Sequence, residues 1–489
     1  MDYDRFWSAE ARRFKTASLA GLIHRFSGLN DVVRLAGGLP PAEAFPLSSL
    51  TALTHGGMEV RLGEQQELIH QAQQYNFNPQ GHTPLLTWLR GLTAQLHPGV
   101  AVEGVVAVEE EGAVQGAALP APTSLPQPPA GGHPPASSTS PPAAPPAPPL
   151  ASSPPPPPPP PAPAPRCDLV LTCGAIHAIN AVISCLTDPG DTLVLDEYTY
   201  THALECVFLP RGLRLLPVRS DAGGLDPSHL QQQLAAAERA AAAGRCRRPR
   251  LLYCIPTGHN PTGVTMSEER KRRILEVCSA ADLLVLEDDA YWWLSYPTAG
   301  GAAEGAGAAE GAAEGEELQG PAAGAGGLAA LPRSMLSLDR EGRVIRIDTF
   351  SKLLGPGYRL GWLTAPQPLV SKLANWVMGS TVGPCSVTQV LLTQLLQQWG
   401  RSGFDAYLRQ LQALYASRAA AAEQAARRHL SGLAEWCPVQ AGMFMWIKLR
   451  DVPDVGAILD QLVAARVAVL PGGVFAAGGR GADAEVGDV

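Results

Sequence analysis

Short apolar runs alternate with helically spaced stretches through the middle of the chain. DTLVLDE (191–197), LRLLPV (213–218), PRLLYCIP (249–256), DLLVLEDD (282–289) and RVIRIDTF (343–350) are too short for buried helices and read as strands. Helical patterns separate most of them, which predicts an α/β fold: a mostly parallel central sheet covered by helices on both faces. In LTCGAIHAINAVISCLTDPG (171–190) a strand and a glycine lead into an apolar stripe at Ile176, Ile179, Val182, Ile183 and Leu186, so a helix should begin near Gly174. Another is expected to start near Ser267. Residues 365–430 read as helices, with Leu391, Leu395, Leu396 and Trp399 at helical spacing. The segments AGMFMWIKL (441–449) and RVAVLPG (466–472) then read as strands of a smaller α+β domain.

Two segments break this pattern. Residues 112–165 end in a proline run from Pro154 to Pro161, and residues 298–330 are rich in Ala, Gly and Glu. Neither composition buries enough apolar surface to offset its ordering entropy. The first should form a surface excursion of polyproline II character, either a neutral insertion or a Pro-rich ligand for a partner domain. The expected organisation is an N-terminal arm with the start of the small domain (1–50), a large ligand-binding domain (51–365) carrying both inserts, connecting helices with the small domain (366–475), and a low-complexity tail (476–489).

Composition narrows the function classes. The 489 residues are 46% hydrophobic, enough for large cores, while 50 Gly and 46 Pro belong largely to the inserts and turns. A formal net charge of -8 gives no basic footprint for nucleic acid, and the run RCRRPR at 245–250 is short. Nine cysteines without a C-x-x-C pair argue against a disulfide framework or a zinc site. No apolar run reaches the roughly 18 residues of a membrane span, and MDYDRFWSAEARRF lacks a signal-peptide core. The cytosol is the expected compartment; Arg and Ser within residues 10–27 leave a mitochondrial or plastid address as the alternative.

The chemistry centres on lysine. Of five lysines, Lys352 alone directly follows an apolar strand, and Arg359 lies seven residues on. A primary amine forms a Schiff base only when unprotonated, which favours a partly desolvated site near other cations; a solvated surface lysine is the competing reading. Lys271 sits in the charged run SEERKRR and is a poorer candidate. The glycine-to-helix start at Gly174 is either an anion site or a plain strand-to-helix turn. In IPTGHNPTG (255–263), prolines and glycines stiffen the turn around Asn260, which either donates to a phenolate-like oxygen or closes an Asx turn. Asp288 ends an apolar strand, with Tyr291 three residues on. A carboxylate at that depth needs a cationic partner such as a protonated pyridine; otherwise Asp288 and Asp289 form a solvated strand end. In DEYTY, Tyr198 or Tyr200 stacks on a flat cofactor or packs in the core.

Taken in order, these motifs resemble the class I/II aminotransferases, fold-type I enzymes dependent on pyridoxal 5'-phosphate, and within them the kynurenine/2-aminoadipate aminotransferase group. DYDRFWSAEARR, RLAGGLPPAEAFP, QYNFNPQGHTPLLTWL and SGLAEWCPVQAGMFMWIKL share that likeness, which covers roughly residues 1–98, 166–297 and 331–475. The resemblance implies that Lys352 holds the cofactor as a Schiff base, Asp288 pairs with the pyridine nitrogen, and Tyr291 and Asn260 bond the ring hydroxyl oxygen. Tyr200 would stack on the ring. Gly174, Ala175, Ile176, Thr349, Ser351 and Arg359 would hold the phosphate. Gly38, Leu39, Asn260 and Phe444 would shape the substrate pocket, and Tyr75 would reach the neighbouring subunit's site in a homodimer. No metal is implied.

The implied reaction moves an amino group from 2-aminoadipate, kynurenine or an aromatic amino acid to a 2-oxo acid such as 2-oxoglutarate. A β-lyase reaction on the same cofactor, or a catalytically impaired cofactor binder, is the alternative. Two departures stand out. Ala175-Ile176 replaces the family's usual Ser-Gln, removing side-chain donors and keeping backbone ones. No equivalent is found before Val489 of the arginine that grips the substrate α-carboxylate, so the small domain reads as C-terminally truncated.

Overall fold

The computed structural model describes residues 1–14, 40–76, 78–105, 166–296 and 326–478. The strand predictions converge on one eight-stranded sheet: β1 (Ala101–Val102), β2 (Arg166–Thr172), β3 (Thr192–Asp196), β4 (Arg214–Val218), β5 (Leu251–Cys254), β6 (Leu284–Asp288), β7 (Val344–Thr349) and β8 (Gly361–Pro366). Their order is β1-β2-β8-β7-β6-β5-β3-β4. Only β8 runs against its neighbours, pairing antiparallel with β2 and β7; the other pairs are parallel. Every residue of β3, β5, β6, β7 and β8 is buried, as expected of strands covered on both faces.

The covering helices are α1 (Thr83–Leu96), α2 (Ala175–Leu186), α3 (Pro227–Ala242), α4 (Glu268–Ala280), α5 (Gln367–Thr381) and α6 (Ser386–Leu430), the last broken at Gly400. Strand alternation divides the core. Leu195, Tyr253, Leu286 and Ile347 face one layer with Ile179, Val182 and Ile183 of α2 and Leu373 and Val377 of α5. Val194, Leu252, Val285 and Val344 face the other layer with Ile274 and Cys278 of α4. At the β2 end, Leu169 and Leu171 pack with Leu85 and Leu89 of α1 and Phe404 of α6. Helix α4 begins where the sequence places it, capped by the Ser267 hydroxyl, which accepts from the Arg270 amide.

Three expectations need correction. In AGMFMWIKL only Ile447–Leu449 is strand, pairing antiparallel with Ala434–Trp436. The expected strand at 466–472 is absent: beyond α7 (Leu459–Ala464), Val467, Val469 and Leu470 run exposed without ladder partners. Apolar alternation cannot make a strand where no neighbouring backbone is available to pair. The last residues of the Ala/Gly insert, by contrast, join the ordered fold. The Gly327 amide donates to Gln412 and the Leu328 amide to Asp405, both on α6. The rest of both inserts lies outside the described residues.

Candidate active site

The connections leaving the carboxyl ends of the parallel strands carry the candidate residues, the position where open α/β sheets place ligands. Asp288 is the last residue of β6 and only 4% exposed. Its Oδ2 accepts from the Tyr253 hydroxyl of β5 at 2.8 Å, and its Oδ1 is buried with no hydrogen-bond partner. Burial pushes this carboxyl up from its ordinary 3.8 to about 6. The Tyr253 bond opposes that rise, Asp289 and Asp348 add to it, and Arg346 relieves it.

Residues on the opposite side of the strands form an ionic cluster. Arg346, wholly buried, lies 3.1 Å from Glu287, 2.8 Å from Asp289 and 2.8 Å from Asp348. Its guanidinium stacks over Trp292 at 4.6 Å. Lys271 of α4 is also wholly buried, its Nζ donating to the Arg333 carbonyl at 2.8 Å. Desolvation lowers its pKa, and the Asp289 and Glu287 charges resist that fall. The alternative of a solvated strand end at Asp288 and Asp289 does not hold, and Lys271 is buried although it sits in the charged run SEERKRR: helical charge runs do not show which member turns inward.

Tyr291 follows β6 and receives the Asn260 Nδ2 hydrogen bond at 3.3 Å, leaving Asn260 Oδ1 buried and unpaired. Lys352, half-buried, places its Nζ 5.8 Å from the centre of the Tyr291 ring. Phe444 meets that ring edge-on at 5.3 Å. The Asn260 turn is fixed against the segment carrying Phe444 by Gly258, at φ +54, where a Cβ would lie 2.9 Å from the Gly442 Cα. Burial, followed by the Asp288 charge, raises the pKa of Tyr291 and of Tyr200, so both phenols stay protonated at neutral pH. Tyr200 is also within electrostatic reach of Arg359.

At the other end of the site α2 starts at Ala175 with Gly174 as its N-cap and no side-chain cap, so the first helical amides have no intrahelical acceptor. Gly174 has φ +84, and a Cβ there would stand 2.8 Å from the Arg359 Nη2, which donates to the Cys173 carbonyl at 3.0 Å. Thr349 caps the turn carrying Lys352: its Oγ1 accepts from the Ser351 amide at 3.1 Å and donates to the Ser351 hydroxyl at 2.9 Å. Free amides, two hydroxyls and a guanidinium form a cup suited to a phosphate. Ala175 and Ile176 can offer this cup backbone amides but no side-chain donor.

Tyr75, just beyond the helix Gln66–Gln73, is 58% exposed. Gly38 and Leu39 lie outside the described residues. Sequence reasoning missed Tyr253, Arg346 and the burial of Lys271. The available signal was a polar group flanked by apolar residues inside a short strand: Tyr253 in LLYC and Arg346 in VIRIDT. Among the described residues no group of three or more His, Cys, Asp or Glu is placed to hold a metal ion, and no helix is long and apolar enough to cross a membrane.

A half-buried amine, a buried carboxylate with one unpaired oxygen, and an anion cup fit an aldehyde, a ring nitrogen and a phosphate carried by one planar molecule. These features define a pyridoxal phosphate enzyme on a fold-type I scaffold. The family described as aminotransferase class I and II matches residues 163–482, and the chain belongs to it. The bovine "Kynurenine/alpha-aminoadipate aminotransferase, mitochondrial" is 28% identical over 96% of this chain and 90% of its own length. "Aminotransferase tdiD" of Emericella nidulans is 34% identical over 62% of this chain and 64% of its own. Among solved structures, aminotransferase Aro8 from Candida albicans superposes with a TM-score of 0.73 at 22% identity, covering 98% of this chain and 90% of that one, a likeness of fold. The protein is accordingly an aminotransferase, and its cofactor is pyridoxal 5'-phosphate.

Proposed function

We propose that this chain transfers the amino group of 2-aminoadipate, kynurenine or an aromatic amino acid to a 2-oxo acid such as 2-oxoglutarate, with Lys352 as the covalent anchor and proton carrier. The observation that carries the assignment of roles is Asp288: a buried carboxylate whose Oδ1 has no hydrogen-bond partner among the described residues and so is open to a protonated pyridine. When bound, the cofactor supplies an electron sink for the negative charge left at the donor α-carbon. Asp288 would hold the ring nitrogen in its protonated form. Tyr291 and Asn260 would orient the ring hydroxyl oxygen, Tyr200 would stack on the ring, and Gly174, Ala175, Ile176, Thr349, Ser351 and Arg359 would hold the phosphate. The Lys352 amine, whose Nζ lies 5.8 Å from the centre of the Tyr291 ring, would be the base that takes the proton from the donor α-carbon.

The donor assignment is supported by the activity for which the bovine relative is named together with Phe444, which meets the Tyr291 ring edge-on. The exposure of Tyr75 suits a residue that serves the partner's site in a homodimer. The cytosol remains the proposed compartment, to be decided by fractionation, since the bovine relative's name assigns that protein to mitochondria. The test of function is product analysis with 2-oxoglutarate and a donor panel. Oxo acid formed in step with glutamate supports transfer; ammonia released with pyruvate would reassign the protein as a lyase.

A further inference from the structure

We propose that Tyr253 is a positioning residue for the cofactor's ring nitrogen: its hydroxyl holds Oδ2 of Asp288 and thereby presents Oδ1 to that nitrogen as the acceptor. Tyr253 lies on β5, paired with Leu286, two residues before Asp288 on the same face of the sheet. It is wholly buried, its ring edge-on to Phe208 at 5.1 Å. A phenol in an apolar strand needs a partner for its hydroxyl, and this one's is Asp288 at 2.8 Å.

The direction of the bond is fixed. Burial, then the Asp288 charge, holds the Tyr253 phenol well above its usual range, so at neutral pH it stays protonated and donates to the carboxylate. A donated bond favours the carboxylate over the carboxylic acid. The other charged or titratable groups that act on Asp288 are Tyr200 from the β3 connection and Tyr291 from its own connection and, from the cluster on the opposite side of the strands, Asp289, Arg346 and Asp348. The two carboxylates push the proton toward Asp288, and Arg346 pushes it away. Among the described residues, Tyr253 alone hydrogen-bonds the Asp288 side chain directly. Without that bond the proton shared with the ring nitrogen moves from the nitrogen toward Oδ1, and the ring loses electron-accepting power.

The inference rests on Asp288 being the ring-nitrogen partner, and its test separates the two. The full chain is loaded with pyridoxal phosphate labelled with 15N in the ring, and the nitrogen resonance is recorded at pH 8. Wild type should give a pyridinium-like shift. Tyr253→Phe, which keeps the ring packing, should move it toward neutral pyridine and lower kcat between about ten- and a hundred-fold with little change in KM, the effect of one lost bond to a charged group. If Tyr253→Phe fails to fold, 3-fluorotyrosine at position 253, a stronger donor, should move the resonance the opposite way. An unchanged resonance in the Tyr253 variants, with Asp288→Asn still shifting it, overturns the role of Tyr253. A resonance unchanged in Asp288→Asn overturns the reading of Asp288 itself.

Discussion

Without its cofactor, the Asp288 carboxylate is a net cost to the fold, and replacing it by asparagine should stabilise the ligand-free protein in a pH-dependent way. Its folded-state pKa is raised from 3.8 to about 6, chiefly by burial. An acid with a raised folded pKa contributes its full stability below its unfolded value and loses that contribution as pH rises through the folded one. The difference between 3.8 and about 6 corresponds to roughly 3 kcal/mol at pH 8, and the same linkage gives roughly half of that at pH 5. Asp288→Asn abolishes this titration and leaves the amide oxygen to accept from Tyr253. Urea unfolding of ligand-free wild type and variant should therefore show a stability difference that grows in the variant's favour by about 1–2 kcal/mol from pH 5 to pH 8 and levels off above. A difference that stays constant over that range would refute the claim that Asp288 pays a desolvation cost. Saturating pyridoxal phosphate should reverse the order, because the pyridinium then stabilises the carboxylate.

The other expectations are local. Arg346→Met leaves three carboxylates buried without their shared cation and should destabilise the protein by about 3–5 kcal/mol, read as a lowered urea midpoint. Gly174→Ala combines a positive φ with a methyl 2.8 Å from Arg359, so pyridoxal phosphate affinity should fall by roughly tenfold in an absorbance titration while the apoprotein stays folded. Arg359→Ala should weaken cofactor binding by about ten- to a hundred-fold, with activity recovered by excess pyridoxal phosphate.

What the sequence made legible was whatever depends on local pattern. The five apolar runs all enter one sheet, the helix after Gly174 begins one residue later, and Asn260, Asp288, Tyr291 and Lys352 meet at the strand ends because parallel strands deliver their connections to one edge. Illegible were the features decided by distant partners. Lys271 looks solvated in SEERKRR, yet its helix face turns onto a carboxylate cluster assembled from β6 and β7. Val467–Leu470 alternates like a strand but finds no backbone to pair with. Tyr253 reads as filler in LLYC until the register of β5 beside β6 sets its hydroxyl on Asp288.

The most direct test of the whole account is the visible spectrum of the purified full chain with pyridoxal phosphate, before and after addition of 2-aminoadipate, beside Lys352→Ala. Wild type should show the band of lysine-bound cofactor, lose it to the shorter-wavelength amine form on adding donor, and regain it with 2-oxoglutarate; Lys352→Ala should never show the initial band. A wild-type band that persists through 2-aminoadipate, kynurenine and the aromatic amino acids would contradict the proposed donor class, and the same band in Lys352→Ala would contradict the assigned anchor.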